Sequence, residues 1–379
     1  MGYGLELIFA ALAAAGCIYW VAAAFLVARY GQGRAVAAGD TPLTILKPLH
    51  GAEPGLAANL ASFLDQDYGG PVQIVFGVQD PLDPAIAVVE DIVRTHPDHD
   101  IALVVDSRRY GSNPKVSNLV NMMSAAKADI LVLADSDIRV EPDYLSQVVA
   151  ALGRPGVGAV TCAYRSAPFE GPWSGLSGLA VDSHFLPGVV VGMACGLAEP
   201  CFGATIALRR KVLERIGGFQ AFADILADDY AIGDAVRRLG LDVAVTPFVV
   251  THMSNDATFG EMMSHEMRWA KTVAGLNRIG FAGTGLTHPV PLAILALLLG
   301  GSWHAGLLLV AALACRSLLL LSVARRFRLL QAPFWLLPLR DCLSFYVYLA
   351  SFFPSGVSWR GSHFLVEADG TMAARRESE

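Results

Sequence analysis

The chain carries little charge: 16% of its 379 residues are Asp, Glu, Lys or Arg, and the net charge is −6. No basic excess exists, which removes the electrostatic footprint that a nucleic-acid partner needs. Cysteine is also scarce. Cys17, Cys162, Cys195, Cys201, Cys315 and Cys342 include no Cys-x-x-Cys pair, and three lie in or near strongly apolar stretches. They read as buried reduced thiols rather than a disulfide framework or a zinc site. Gly69-Gly70 and Gly217-Gly218 belong to no Walker or dinucleotide fingerprint, which argues against an ATPase or a dehydrogenase.

Apolar residues are what the chain has in excess. They make up 54% of it, with a mean hydropathy of +0.47, and so favour a membrane protein. Residues 5–27 are apolar apart from Glu6 and long enough to span a bilayer core. They lack a basic n-region and a clear cleavage site, so a retained anchor is expected rather than a removed signal peptide. Arg29 and Arg34 follow, which puts the next segment in the cytoplasm. Hydrophobic segments return at 289–299, 303–323 and 332–353. Arg325, Arg326 and Arg328 should be cytoplasmic, as in a hairpin that leaves and returns. Arg340-Asp341 inside the last segment must be mutually compensated or face a polar cavity. The apolar stretch 185–198 is too short for a span and reads as an interfacial helix.

Between these ends, short apolar runs at 43–45, 72–78, 101–105, 130–134 and 157–161 alternate with amphipathic segments near 54–65, 84–95 and 114–127. Two more strands are expected at 203–208 and 241–246. Such alternation predicts an α/β layer fold with a largely parallel sheet. Each helical segment opens at or near a proline, which suits the first helical turn. The expected organisation is an anchor over 1–30, an α/β domain over 41–280, transmembrane or interfacial helices over 287–355 and a tail over 356–379.

The run Leu131-Val132-Leu133-Ala134-Asp135-Ser136-Asp137 delivers two carboxylates at the end of a buried strand. In an extended chain they project to one side, and hard oxygen ligands placed so suit Mg²⁺ or Mn²⁺ carrying a diphosphate. A solvated turn before the next helix is the alternative for so common a tripeptide. Three further stations stand near strand ends or helix starts: Asp80, Asp228-Asp229, and His265-Glu266-Met267-Arg268-Trp269. Asp80 could equally be a turn aspartate before Pro81, and Asp228 a helix cap. Glu53 reads as a solvated helix-start carboxylate, and His184 and His252, without ligand spacing, as structural.

The ordered set Asp80, Asp135-x-Asp137, Asp229 and His265-x-x-Arg268-Trp269 resembles the D, D, D, (Q/R)xxRW pattern of membrane glycosyltransferases with the GT-A fold. Ile45-Leu46-Lys47-Pro48-Leu49-His50-Gly51, Lys115-Val116-Ser117-Asn118-Leu119, Asp135-Ser136-Asp137-Ile138-Arg139-Val140 and Trp359-Arg360-Gly361 resemble ceramide glucosyltransferases, most closely the bacterial hopanoid-associated branch. The resemblance implies an α/β GT-A domain flanked by transmembrane helices. It also implies inverting, metal-dependent transfer of glucose or N-acetylglucosamine from a UDP-sugar to the hydroxyl of a membrane lipid, a ceramide or a hopanoid polyol. The enzyme would be multi-pass in the inner membrane, with its catalytic domain cytoplasmic, Mg²⁺ or Mn²⁺ as cofactor, and the UDP-sugar, acceptor lipid and bilayer as partners.

On this resemblance Asp137 is the expected metal ligand, supported by Asp135, which alternatively contacts the ribose. Lys115 and Arg268 would meet the diphosphate, and Asp80 the uracil or ribose. Asp229 would be the base, with Asp228 raising its pKa by like-charge repulsion. Trp269 would wall the sugar or acceptor channel. His265 departs from the family's Gln or Arg and, unlike Gln, can become cationic near a diphosphate. A processive polysaccharide synthase shares these stations but needs a translocation path, for which the C-terminal segments are few. A non-catalytic lipid-binding protein would not need them all.

Overall fold

The computed structural model describes residues 2–31, 39–168, 171–353, 357–359, 362–366 and 372–374. Eight strands form its main sheet: β1 (Leu43–Pro48), β2 (Val72–Val78), β3 (Asp100–Val105), β4 (Ile130–Leu133), β5 (Ile138–Arg139), β6 (Val157–Pro168), β7 (Ile206–Arg209) and β8 (Asp242–Ser254). The helices are α1 (Gly2–Arg29), α2 (Leu56–Ala61), α3 (Ala85–Thr95), α4 (Pro114–Met122), α5 (Tyr144–Leu152), α6 (Gly171–Ala180) and α7 (Leu186–Ala194). They continue with α8 (Arg210–Arg215), α9 (Asp228–Arg238), α10 (Phe259–Leu276), α11 (Arg278–Gly283), α12 (Pro289–Gly300), α13 (Trp303–Phe327) and α14 (Leu337–Ala350).

Alternation along the central strands divides the core into two layers. Ile45 of β1 with Val132 of β4 packs into one, while Leu46 with Leu131 and Leu133 packs into the other. Both layers are buried, which is why these strands read as continuous apolar runs. Local chemistry sets the start of α4: the Asn113 side chain accepts from Val116 N, and Pro114 fills the first turn.

The strand order is β3-β2-β1-β4-β7-β6-β8-β5. β1, β2, β3 and β4 pair in parallel, so β1, β2 and β4 end at one edge of the sheet. The sheet is largely parallel as expected, since the long β6–β8 pair is parallel too, while the shorter β4–β7, β6–β7 and β5–β8 pairs are antiparallel. Periodicity reports which residues alternate between faces and carries no strand direction. The two-residue β5 was not expected at all, and β6 and β8 run well past their apolar starts.

α1 packs against α12 and α13, and its two ends are tied to those of α13. Ser302 Oγ donates to Glu6 Oε1 at 2.5 Å at one end, and Arg326 donates to the Tyr30 and Gly31 carbonyls at the other. By length and composition, α1, α13 and the stretch Gly171–Ala194 could each cross a membrane. The last of these corrects the sequence estimate. A π-helical turn, Val181–Phe185, joins α6 to α7, so the helix is 24 residues long, but 61% of its apolar window is buried in the protein against 28% for α1. Its polar residues have partners, as Asp182 accepts from Ser166 N and the Ser183 carbonyl from Arg316.

The charges of Arg340-Asp341 are compensated, but not by each other. Asp341 takes a bidentate contact from Arg316 of α13, and Arg340 pairs with Glu266 of α10. Helix geometry separates neighbouring residues by about 100°, so adjacent side chains face different partners. Three short strands at 357–359, 362–366 and 372–374 form a separate antiparallel sheet, while Arg360, Gly361 and much of the expected tail lie outside the described residues.

Asp341→Asn leaves the fully buried Arg316 guanidinium without its counter-charge. We expect a loss of about 3–5 kcal/mol, read as a lower midpoint of thermal unfolding in detergent micelles.

Candidate active site

The shared edge of β1, β2 and β4 positions the candidate residues. β4 ends at Leu133, and Ala134 N still donates to Leu46 O, which leaves Asp135 just beyond the last pairing. At such an edge side chains converge because backbone pairing has stopped. Lys115, on the first turn of α4, meets Asp135 Oδ1 at 2.7 Å and lies 3.5 Å from Asp228 Oδ2. Burial lowers the pKa of the ammonium, but Asp135, then Asp228 and Asp229, outweigh it and hold the group above the usual lysine value. Asp135 itself is pushed up, by burial first and by Asp137, with Lys115 opposing.

The chain turns at Ser136-Asp137 before β5, so the two carboxylates reach different partners rather than one. β5 pairs with β8 so that Ile138 stands opposite His252, and Met253 N donates to Asp137 O at 2.8 Å. That register brings His252 Nε2 to 3.2 Å from Asp137 Oδ2. Burial opposes both charges, yet the imidazole holds the Asp137 carboxyl below its usual range and the carboxylate raises His252. The side chains of Asp135 and Asp137 keep 34% and 31% exposure, enough to admit a ligand. His252, taken as structural from sequence, thus stands at the centre of the cluster. So does Tyr164 of β6, 5.4 Å from the His252 ring and pushed up by burial and by Asp229, Asp137 and Asp135.

Asp229 opens α9 with its neighbour Asp228. Its Oδ2 accepts from Gly203 N at 2.9 Å and its Oδ1 from Tyr230 N at 2.8 Å. Burial, and then repulsion from Asp228, push its pKa up to about 6 against the pull of Lys115. Asp228 is buried and faces Lys115 and the Asn113 amide, 3.4 Å away. Its carboxylate therefore belongs to the cluster, beyond any role as a helix cap.

The fourth station arrives on α10, which starts with a capping box between Thr258 and Glu261. Trp269 lies 6.1 Å from His252, centroid to centroid, and Arg268 is close enough to pull down the Tyr164 hydroxyl. His265 instead pairs with Asp256, Nδ1 to Oδ1 at 2.6 Å, and is about half exposed. Asp80 is exposed beyond β2, with Oδ1 accepting from Leu82 N. Lys47 was unassigned from sequence. Fully buried over the Phe63 ring, it donates to the Asp135 carbonyl at 2.5 Å, and burial pushes its pKa down to about 7. Its place in an apolar strand gave one signal, a lysine where a buried side chain was expected. A cavity of about 510 Å³ lies elsewhere, near the amino ends of β1 and β2, and none of the charged residues of the cluster lines it.

The donors suit a divalent cation that arrives with its ligand. Asp137 Oδ1 is buried with no hydrogen-bond partner, and a free carboxylate oxygen is the hard donor that Mg²⁺ or Mn²⁺ takes. Among the described residues no three or more His, Cys, Asp or Glu side chains are placed to hold a metal ion by themselves. Diphosphate oxygens and water would complete the shell, as is usual for Mg²⁺.

Residues 7–372 match Glycosyl transferase family 21. The chain belongs to this family. A family relative, ceramide glucosyltransferase 1 of Caenorhabditis elegans, is 26% identical over 237 residues, 60% of this chain and 49% of that protein. The ceramide glucosyltransferase of Komagataella phaffii is 39% identical over 116 residues, 30% of this chain and 23% of that one. The chain thus spans about half or less of the length of these curated relatives. In fold it is similar to a mannosyltransferase of Pyrobaculum calidifontis solved with GDP-Man and Mn²⁺, at 22% identity and a TM-score of 0.53, over 92% of this chain and 99% of that one. The family and this likeness bear out the GT-A architecture expected from the motifs.

A Cβ at Gly203 would stand 2.7 Å from Asp135 Oδ2 and 2.9 Å from Lys115 Nζ. Those ends are flexible in principle but pinned to each other. With UDP as the probe for a diphosphate site here, Gly203→Ala is expected to weaken binding about tenfold while shifting the thermal midpoint little, measured by calorimetric titration beside thermal unfolding; by affinity arithmetic that is about 1.4 kcal/mol.

Proposed function

We propose that this glycosyltransferase moves glucose or N-acetylglucosamine from a UDP-sugar to a hydroxyl of a membrane lipid, a ceramide or a hopanoid polyol, with inversion at the anomeric carbon. The observation that carries the reading is the Lys115 ammonium held between Asp135 and Asp228, beside Asp229 with its raised pKa. The ceramide glucosyltransferase relatives support a lipid acceptor, and the apolar helices support a site at a membrane, which we assign to the cytoplasmic face of the inner membrane. The transferase domain is residues 41–280, between the anchor at 1–30 and the helices of 287–355.

In this mechanism Asp137, with Asp135 in support, would hold Mg²⁺ or Mn²⁺ together with the diphosphate oxygens, while His252 orients the Asp137 carboxylate. When bound, the ion supplies positive charge to the departing diphosphate. Lys115 and Arg268 add cationic charge there, so negative charge that grows as the sugar–oxygen bond breaks is met by groups already in position. Asp80 would accept from the uracil or ribose, His265 would approach the donor from its pairing with Asp256, and Trp269 would line the channel. Asp229 takes the proton of the acceptor hydroxyl as that oxygen attacks the anomeric carbon from the face opposite UDP. A base with a pKa near 6 is ionised at neutral pH and keeps more proton affinity than an ordinary aspartate. Asp228 sustains that shift.

Purified protein given UDP-glucose or UDP-N-acetylglucosamine, Mn²⁺ or Mg²⁺ and lipid acceptors should release UDP and form a glycolipid visible by mass spectrometry. Background UDP release with every donor and lipid, from folded protein, would refute the reading, and a polymeric product would replace it with a processive synthase. Asp229→Asn should retain UDP affinity within about twofold and lose transfer by a hundredfold or more, in line with typical general-base contributions. The sign of the pH dependence follows from the base being active when deprotonated. Below about pH 6, kcat/KM should fall tenfold per unit, and a profile flat down to pH 5 would exclude Asp229 as the base.

A further inference from the structure

Within the motif turn of α10, Glu266 stands between His265 and the Arg268-Trp269 pair, and it is buried. Its two oxygens accept from Arg340 Nη1 at 2.5 Å and Nη2 at 2.7 Å. Arg340, fully buried on α14, also reaches the Leu176 carbonyl of α6 at 3.4 Å and Ser344 Oγ at 3.2 Å. The next residue, Asp341, binds Arg316 of α13, whose guanidinium also lies 4.3 Å over the Trp20 ring of α1. Two successive residues of α14 therefore join the motif helix on one side to the apolar helices on the other.

A buried ion pair is poor evidence for stability, because an apolar pair of similar volume often serves as well. What a bidentate guanidinium–carboxylate contact adds is direction, since both hydrogen bonds form only at one relative rotation of the two helices. We infer that the Glu266–Arg340 bridge is a positioning device that sets the rotation of α10 against the apolar helix bundle. It thereby sets where Trp269 stands against His252 and where Arg268 stands against Tyr164. Among the described residues the polar partners of Glu266 and Arg340 lie outside the carboxylate cluster, so both act through the residues that α10 carries. The kinetic consequence rests on the transferase reading, whereas the geometric one does not.

The test uses the full chain in phosphatidylcholine–phosphatidylglycerol nanodiscs. Glu266→Gln/Arg340→Met replaces the charged pair with a neutral one, Glu266→Asp keeps the charge one methylene short, and Glu266→Arg/Arg340→Glu exchanges the partners. Amide hydrogen exchange over 262–272 should quicken at least tenfold in the neutral pair. Transfer kcat should fall at least tenfold, with donor KM and UDP–Mn²⁺ affinity within twofold of the original. Glu266→Asp should lower kcat at least threefold without changing the thermal midpoint, and the exchanged pair should recover at least half of the lost kcat. Unchanged exchange overturns the inference, as does unchanged kcat in Glu266→Asp or a fall in UDP affinity that matches the fall in kcat. If the original chain transfers no sugar, the transferase reading fails, and the exchange measurement still decides the positioning role.

Discussion

One ammonium group holds the candidate site together. Lys115 leaves the first turn of α4 and lies between carboxylates from two other segments, Asp135 beyond β4 and Asp228 on α9. Without it, four aspartates, Asp135, Asp137, Asp228 and Asp229, would crowd one buried edge, and like charges so close do not all ionise. With it, Asp135 and Asp229 are still raised while Asp137, turned toward His252, is lowered. One edge therefore offers a carboxylate suited to a cation and another suited to accepting a proton. Burial and neighbouring carboxylates raise Asp135 and Asp229 against the pull of Lys115, whereas the His252 imidazole and the two lysines outweigh burial at Asp137.

The backbone frame for this cluster comes from ordinary sheet physics. Parallel β1, β2 and β4 bring their carboxyl ends to one edge, Lys47 supports the Asp135 carbonyl from the core, and Gly203 lets the loop before β7 approach where a side chain would collide. The apolar helices are tied to one another and to the domain through polar contacts. Arg326 on the α1 end, Arg316 with Asp341, and Arg340 with Glu266 each satisfy a group whose isolation in apolar surroundings would be costly. A bidentate contact of this kind fixes the relative rotation of two helices as well as their distance.

Much was legible in the sequence itself. Apolar runs located β1 to β4 and α1 and α13, because burial on both faces and the thickness of a bilayer leave direct marks on composition. Asp80, Asp135, Asp137, Asp229, Arg268 and Trp269 stood out through order and spacing, and the structure gathers Asp135, Asp137 and Asp229, with Trp269 beside His252 and Arg268 near Tyr164. Only the tertiary structure decided the rest. His252 entered through the β5–β8 register, Tyr164 through β6, and Lys47 through its reach to a carbonyl far along the chain. The same was true of Arg340 and Asp341, adjacent in sequence but paired with Glu266 and Arg316 on separate helices. Local sequence encodes periodicity, caps and turn chemistry, all set by neighbouring residues. Pairing across a sheet or between helices depends on which distant segments come into contact, and that is settled when the chain packs.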